Sequence, residues 1–206
     1  MKLTKEEALK RFKNALNRKK EWEEKFEAKY ADVKNLYASA WPMNDLSLEY
    51  INKKSPYLVK RADDGDYVFQ TSKGVIYGIG FIENDPLGGC ETYQLSISNQ
   101  NKLHVSHDPN VKNTIIIIVE EFFQENLDGL LYICDTSDSR EAARNRLFLH
   151  WFEETADPER FTIKTASATI EGQGIYAAII VENRNPLTKA IIDDFEQTAQ
   201  MLTEDK

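Results

Sequence analysis

The chain has 206 residues, 41% hydrophobic and 29% charged, with nine Gly and six Pro. That length supports one full hydrophobic core, burying roughly 70% of the unfolded surface, and the composition excludes a fibrous or largely disordered chain. The net charge of −8 is unevenly spread: residues 1–30 hold ten Lys/Arg against six Glu, leaving sixteen against twenty-eight in residues 31–206. An acidic body repels nucleic acid backbones, so nucleic acid is a disfavoured partner.

Only Cys90 and Cys134 are present, which makes neither a disulfide framework nor a paired metal spacing and fits a reducing compartment. The opening Met1-Lys2-Leu3-Thr4-Lys5-Glu6-Glu7 places charges where a signal peptide needs an apolar stretch. The longest apolar run, Ile175 to Val181, is far shorter than the about 20 residues of a spanning helix. A cytoplasmic protein that does not cross a membrane is expected.

Thr4-Lys5-Glu6-Glu7 forms a capping box, so a helix starts there. Leu9, Phe12 and Leu16 recur at helical spacing, and after a phase slip across Lys19-Lys20 an aromatic stripe resumes at Trp22, Phe26, Tyr30, Val33 and Tyr37. Trp41-Pro42 interrupts it, a short helix is predicted from Asn44 or Asp45 to Ile51, and Lys53-Lys54-Ser55-Pro56 marks a boundary. The expected organisation is a helical extension over 1–55 and an α+β domain over 56–206.

In the body, Tyr67–Thr71 and Val75–Phe81 flank Ser72-Lys73-Gly74 and read as a hairpin. A loop containing Asp85-Pro86-Leu87-Gly88-Gly89 leads to a third strand at Thr92–Ser98, and Leu103-His104-Val105 has extended character. Asp108-Pro109 opens a helix with Val111, Ile115, Ile118 and Phe122 on one face. Gly129–Cys134 suits a strand buried on both sides, and a helix over about 139–154 follows, with Ala143, Leu147, Phe148, Trp151 and Phe152 turned inward. A second hairpin turns around Glu171-Gly172-Gln173-Gly174, and a last helix begins at Pro186 with Leu187, Ile191, Phe195 and Leu202 on one side. The order β-β-β-α-β-α-β-β-α predicts a mainly antiparallel sheet of about six strands covered by helices, preceded by the helical extension.

Polar residues concentrate where the buried strand hands into a helix: Cys134-Asp135-Thr136-Ser137-Asp138-Ser139-Arg140, then Arg144 and Arg146. Cys134 and Arg140 have the spacing of a cysteine phosphatase loop. Asp135 and Asp138, however, stand where a phosphate cradle needs small residues, so a helix cap with a buried Cys134 is the preferred reading. The enzymatic alternative is a small enzyme acting on a phosphorylated or carboxylated ligand, with Arg140 and Arg144 as anion clamps and Asp138 as acid or base. His104, His107 and Asp108, with His150 or Cys90, fall short of a metal signature, so neither a metal nor a cofactor is expected. Glu120-Glu121 and Asp193-Asp194 are adjacent on helices and splay by about 100°, which reads as solvated faces.

The set Trp22, Phe26, Tyr30, Tyr37 and Trp41 has the character of an interaction hot spot, rigid aromatics with a charged rim. Packing on the body is the competing explanation. The favoured function is a non-enzymatic protein-binding or regulatory module, contacting another protein or a second copy through the N-terminal helix.

Tyr67–Thr71 with Gly74 and Tyr77, the helix ending in Glu121-Phe122-Phe123, Leu131–Asp135, and Arg144–Phe148 with Trp151-Phe152 together resemble a bacterial domain family of no assigned function. The resemblance spans roughly residues 57–155. It implies a shared fold and brings no catalytic residues.

Overall fold

The computed structural model describes residues 6–7, 9–11, 13–15, 17–18, 43–103, 105, 108–134, 148–152, 154, 157–170 and 173–203. Helical residues between 6 and 18 precede α1 (Leu48–Lys54), and then come β1 (Val59–Arg61), β2 (Tyr67–Gln70), β3 (Ile76–Leu87) and β4 (Cys90–Asn99). Next are α2 (Pro109–Glu125), β5 (Gly129–Cys134), a helical stretch at 148–152, β6 (Phe161–Ile170), β7 (Gln173–Glu182) and α3 (Thr188–Thr203). The fold is α+β, as expected, around a mostly antiparallel sheet of order β1-β2-β3-β4-β5-β7-β6. β4 and β5 run parallel, from Thr92↔Gly129 to Leu95↔Tyr132, which is what a helical crossover between neighbouring strands requires.

The sheet has seven strands, not about six. The additional one is β1, three residues long, two of them the exposed Lys60 and Arg61. Such a segment carries no period of its own and is a strand because Val59 pairs with Phe69. Asp85-Pro86-Leu87, expected in a loop, instead belong to β3, which runs through all three. The turn needs only Gly88 and Gly89, whose φ values of +58° and +80° are the two positive angles that a two-residue hairpin of the I′ type demands. Leu103 and Val105 lie outside any strand and are exposed.

The chain divides into two compact units. The first contains Met1–Glu23, Ile82–Leu95 and Leu127–Lys206. Its centre is β5, all six residues of which are buried, as the unbroken apolar run predicts. Because side chains alternate along a strand, Leu131 and Ile133 join Ile179, Val181, Ile191 and Phe195 in a core under α3. Tyr132 turns the other way onto Phe148, ring centroids 4.1 Å apart, and Phe152 continues the stack edge-on to Phe161. Asn185 fixes the entry to α3: it accepts the Leu187 amide at 2.7 Å and donates to the Leu127 carbonyl and the Cys90 sulfur.

The second unit contains Glu24–Phe81 and Ser96–Asn126. The β2–β3 hairpin forms with the expected turn, Phe69 facing Tyr77. Tyr57, Phe69 and Tyr77 stack in succession at 5.8 and 5.4 Å. Asp108 caps α2 by accepting the Asn110 amide, and Val111, Ile115, Ile118 and Phe122 are all buried on the predicted stripe. The β-branched run Ile115–Val119 is helical with the rest of α2. Phe122 then stacks on Phe81 at 4.7 Å.

Gly88 is closely packed. A Cβ there would overlap the carbonyl group of Ala190 and the amide of Ile191, on a backbone already at positive φ. Gly88→Ala is therefore expected to lower stability by about 3 kcal/mol, read as a shifted urea midpoint, whereas Gly89→Ala, with no atom within 4 Å of the added carbon, costs only its positive φ.

Candidate functional site

Arg11, Ala15 and Arg18 are spaced four and three apart, so they lie along one side of the N-terminal helix. Ala15 is buried and Leu9 packs beside it on the core of the first unit. The two arginines flank that apolar contact with charge. Arg11 holds both oxygens of Asp194, at 3.0 and 3.2 Å. Arg18 reaches Asp85 at 2.9 Å and the Asn84 side-chain oxygen at 3.3 Å. Asp194 also accepts the Gly88 amide at 2.8 Å, so one carboxylate joins the N-terminal helix, α3 and the β3–β4 turn.

A polar cleft of about 680 Å³ opens along this seam, with Glu7, Lys10, Asn14, Asp193 and Gln197 among its walls. Three of its charges are already paired, Arg11 with Asp194 inside the cleft and Asp193 with the neighbouring Lys189 at 2.6 Å. Beneath Ala15 sits a cavity of about 30 Å³ walled by Leu87, Leu131, Ile133 and Phe195, where the buried Thr198 hydroxyl has no hydrogen-bond partner. Chemically, the arrangement is an ionic latch over an apolar seat.

In the second unit the chain is fixed again where it approaches α1. The Asn44 amide donates to the Asn126 side chain at 2.9 Å and its Nδ2 to the Glu125 carbonyl at 2.8 Å. The Leu46 amide donates to the Tyr67 hydroxyl at 3.0 Å, and the Ser47 amide to Glu121 Oε1 at 3.0 Å. Glu121 is a correction: expected on a solvated face, it is only 1% exposed, and its Oε2 has no hydrogen-bond partner. Burial pushes its carboxyl above the ordinary range; Glu125 adds to this, while the Ser47 amide and Lys54 oppose it.

The aromatic candidates Trp22, Phe26, Tyr30, Tyr37 and Trp41 lie outside the described residues, as do Asp138, Arg140 and Arg144 with the rest of 135–147. Cys134, at their edge, is buried, the small apolar role expected of it. His150 pairs with Glu154 at 3.0 Å, and the described residues hold no cluster of three metal-type ligands. The sequence places Asp85 in a loop and Asp194 on a solvated face, because ion pairs that join residues 67 and 183 positions apart leave no local pattern. Tyr93, buried in β4, has its phenol pushed up to about 12 by burial, with Asp128, Glu83 and Glu91 adding to it, so it does not exchange its proton near neutrality.

Residues 107–197 match a family of unknown function, DUF6169. The DUF6169 match overlaps the resemblance seen in the sequence over residues 107–155 and continues through the β6–β7 hairpin into α3. No curated protein matches the chain. A crystal structure described as a probable acetyltransferase of the GNAT family from Chromobacterium violaceum ATCC 12472 is similar at 9% identity and a TM-score of 0.32. That alignment covers 64% of this chain and 70% of the other, and at so low a TM-score it carries no argument about activity. Among the described residues no helix is long and apolar enough to cross a membrane.

Two measurements probe these anchors. Asp194→Asn keeps an acceptor for the Gly88 amide but removes the charge that Arg11 binds, so a loss of about 1 kcal/mol is expected, with amide exchange accelerated at residues 9–15 while the β3–β4 turn stays protected. Glu121 holds its proton more tightly folded than unfolded, so its contribution to stability is full at acid pH and is lost as pH rises through its elevated pKa. The melting temperature of Glu121→Gln relative to the parent should therefore climb as pH rises above the ordinary glutamate range and level off once the elevated pKa is passed, and a flat difference would mean that the buried carboxyl is not titrating there.

Proposed function

We propose that this chain is a non-enzymatic protein-binding or regulatory module that presents the aromatic residues Trp22, Phe26, Tyr30, Tyr37 and Trp41 to a protein partner. The observation behind this reading is that the chain is anchored on both sides of those residues. Before them, Arg11 and Arg18 bind Asp194 and Asp85. After them, the amides of Asn44, Leu46 and Ser47 are held by Asn126, Tyr67 and Glu121. Fixing both ends of a segment lowers the entropy it loses on binding, so aromatic anchors within it contribute more of their contact energy to affinity. The charge arrangement supports the same reading, since the basic helix meets acidic partners in its own body and the latch weakens as salt screens it.

The test is photo-crosslinking from inside living cells, with a photoreactive side chain substituted at Trp22 in one strain and at Trp41 in another. A discrete protein adduct common to both positions, and lost when Phe26 and Tyr30 are changed to Ala, is the expected result. Crosslinks confined to residues of the same chain at both positions would show that the aromatics pack at home and would overturn the reading.

A further inference from the structure

A threonine inside a helix commonly sends its hydroxyl back to the carbonyl one turn earlier. Thr114 of α2 does this: fully buried, it donates to the Asn110 carbonyl at 2.8 Å. Thr198 of α3 is buried as well, at 3% exposure, yet its hydroxyl bonds neither to its own helix nor to any side chain. Thr198 lines the cavity of about 30 Å³ beneath Ala15 instead. Part of that wall is apolar, and Asn84, Asp85 and Arg11 make up the polar part. Arg18 engages Asp85 through Oδ1, which leaves Oδ2 able to accept. Arg11 binds Asp194 through Nη1 alone, so its guanidinium has further donors to offer.

We propose that this cavity is an internal hydration site, in which a water molecule bridges the Thr198 hydroxyl to the polar wall formed by Asp85 and Arg11. Volume sets the class of ligand. A water needs roughly 10–15 Å³ of such space, so the cavity takes one, or two at most, and nothing larger. A wholly apolar hole stays dry, but dryness here would strand a buried hydroxyl, which costs at least as much as a lost hydrogen bond. A cation of similar size meets the Arg11 guanidinium in the same wall, and an anion meets the Asp85 carboxylate. Water donates and accepts at once, so it answers both of these groups and the hydroxyl between them. The site also bears on how the N-terminal helix seats. Ala15 closes over the cavity, and the hydroxyl beneath it keeps a partner when bulk solvent is shut out.

The experiment is magnetic relaxation dispersion of the water oxygen nucleus on the full chain, which counts long-lived internal waters and is blind to exchanging hydroxyl protons. Urea unfolding of the same samples supplies the second readout. Thr198→Val keeps the shape of the side chain and removes its hydroxyl. The dispersion is expected to fall by about one water molecule, and the unfolding constant to rise about fivefold because the water loses an anchor. Thr198→Ser, which keeps the hydroxyl, is expected to retain the dispersion of the parent. A Thr198→Val chain more stable than the parent overturns the proposal, since it shows that the hydroxyl was buried with nothing to bond. So does a dispersion that Thr198→Val leaves unchanged, or one that both variants lower alike, which assigns the change to packing.

Discussion

The constraint on which the architecture rests is that β5 has no solvent-facing side. A strand buried on both faces must have helices above and below it and strands on either hand, and each of these is met by a specific contact. Leu131 and Ile133 settle against α3, Tyr132 against Phe148, and the backbone between β4 and β7. Since β5 pairs parallel with β4, the chain has to cross over between them. In an otherwise antiparallel sheet that crossover is the reason a long helix, α2, stands in the sequence between the two strands.

Elements whose side chains repeat locally were legible from the sequence. The Asp108-Pro109 cap, the spacing of Val111, Ile115, Ile118 and Phe122, and the unbroken apolar run of β5 each announce themselves within a few residues. β1 was not legible, because three residues with two charges have no period and become a strand only by pairing. Pro86 misled in another way: it is a common strand breaker, yet the two glycines beside it make the turn alone, leaving Pro86 in the strand. Glu120 and Glu121 are chemically the same pair of letters, and which one is buried depends on the rotation of α2 against residues 44–47.

The site is less legible than the fold for a related reason. Helix caps and hairpin turns are short-range, whereas the contacts that fasten the N-terminal helix join residues at opposite ends of the chain. Charge asymmetry was visible as a bulk property, basic at the start and acidic afterwards, but nothing local distinguishes Asp194 from its neighbour Asp193. The structure separates them: Asp193 pairs with the nearby Lys189, while Asp194 accepts from Arg11 and Gly88. Glu182 shows a third use of a carboxyl. Burial alone would raise its pKa, but hydrogen bonds from Arg184 and Arg160, with their charges, hold it below the ordinary range. It therefore favours the folded state above that range and loses this contribution as pH falls.

The shortness of β1 bears on what any growth of the sheet can become. Polymers that lengthen by strand addition need a receptive margin at each end, so that every newcomer offers the next a place to join. Here β6 runs for ten residues with a single lysine, while β1 ends after three residues in two cations. A margin of three residues ending in two cations gives a newcomer no such place, so strand addition cannot run on from it into a filament.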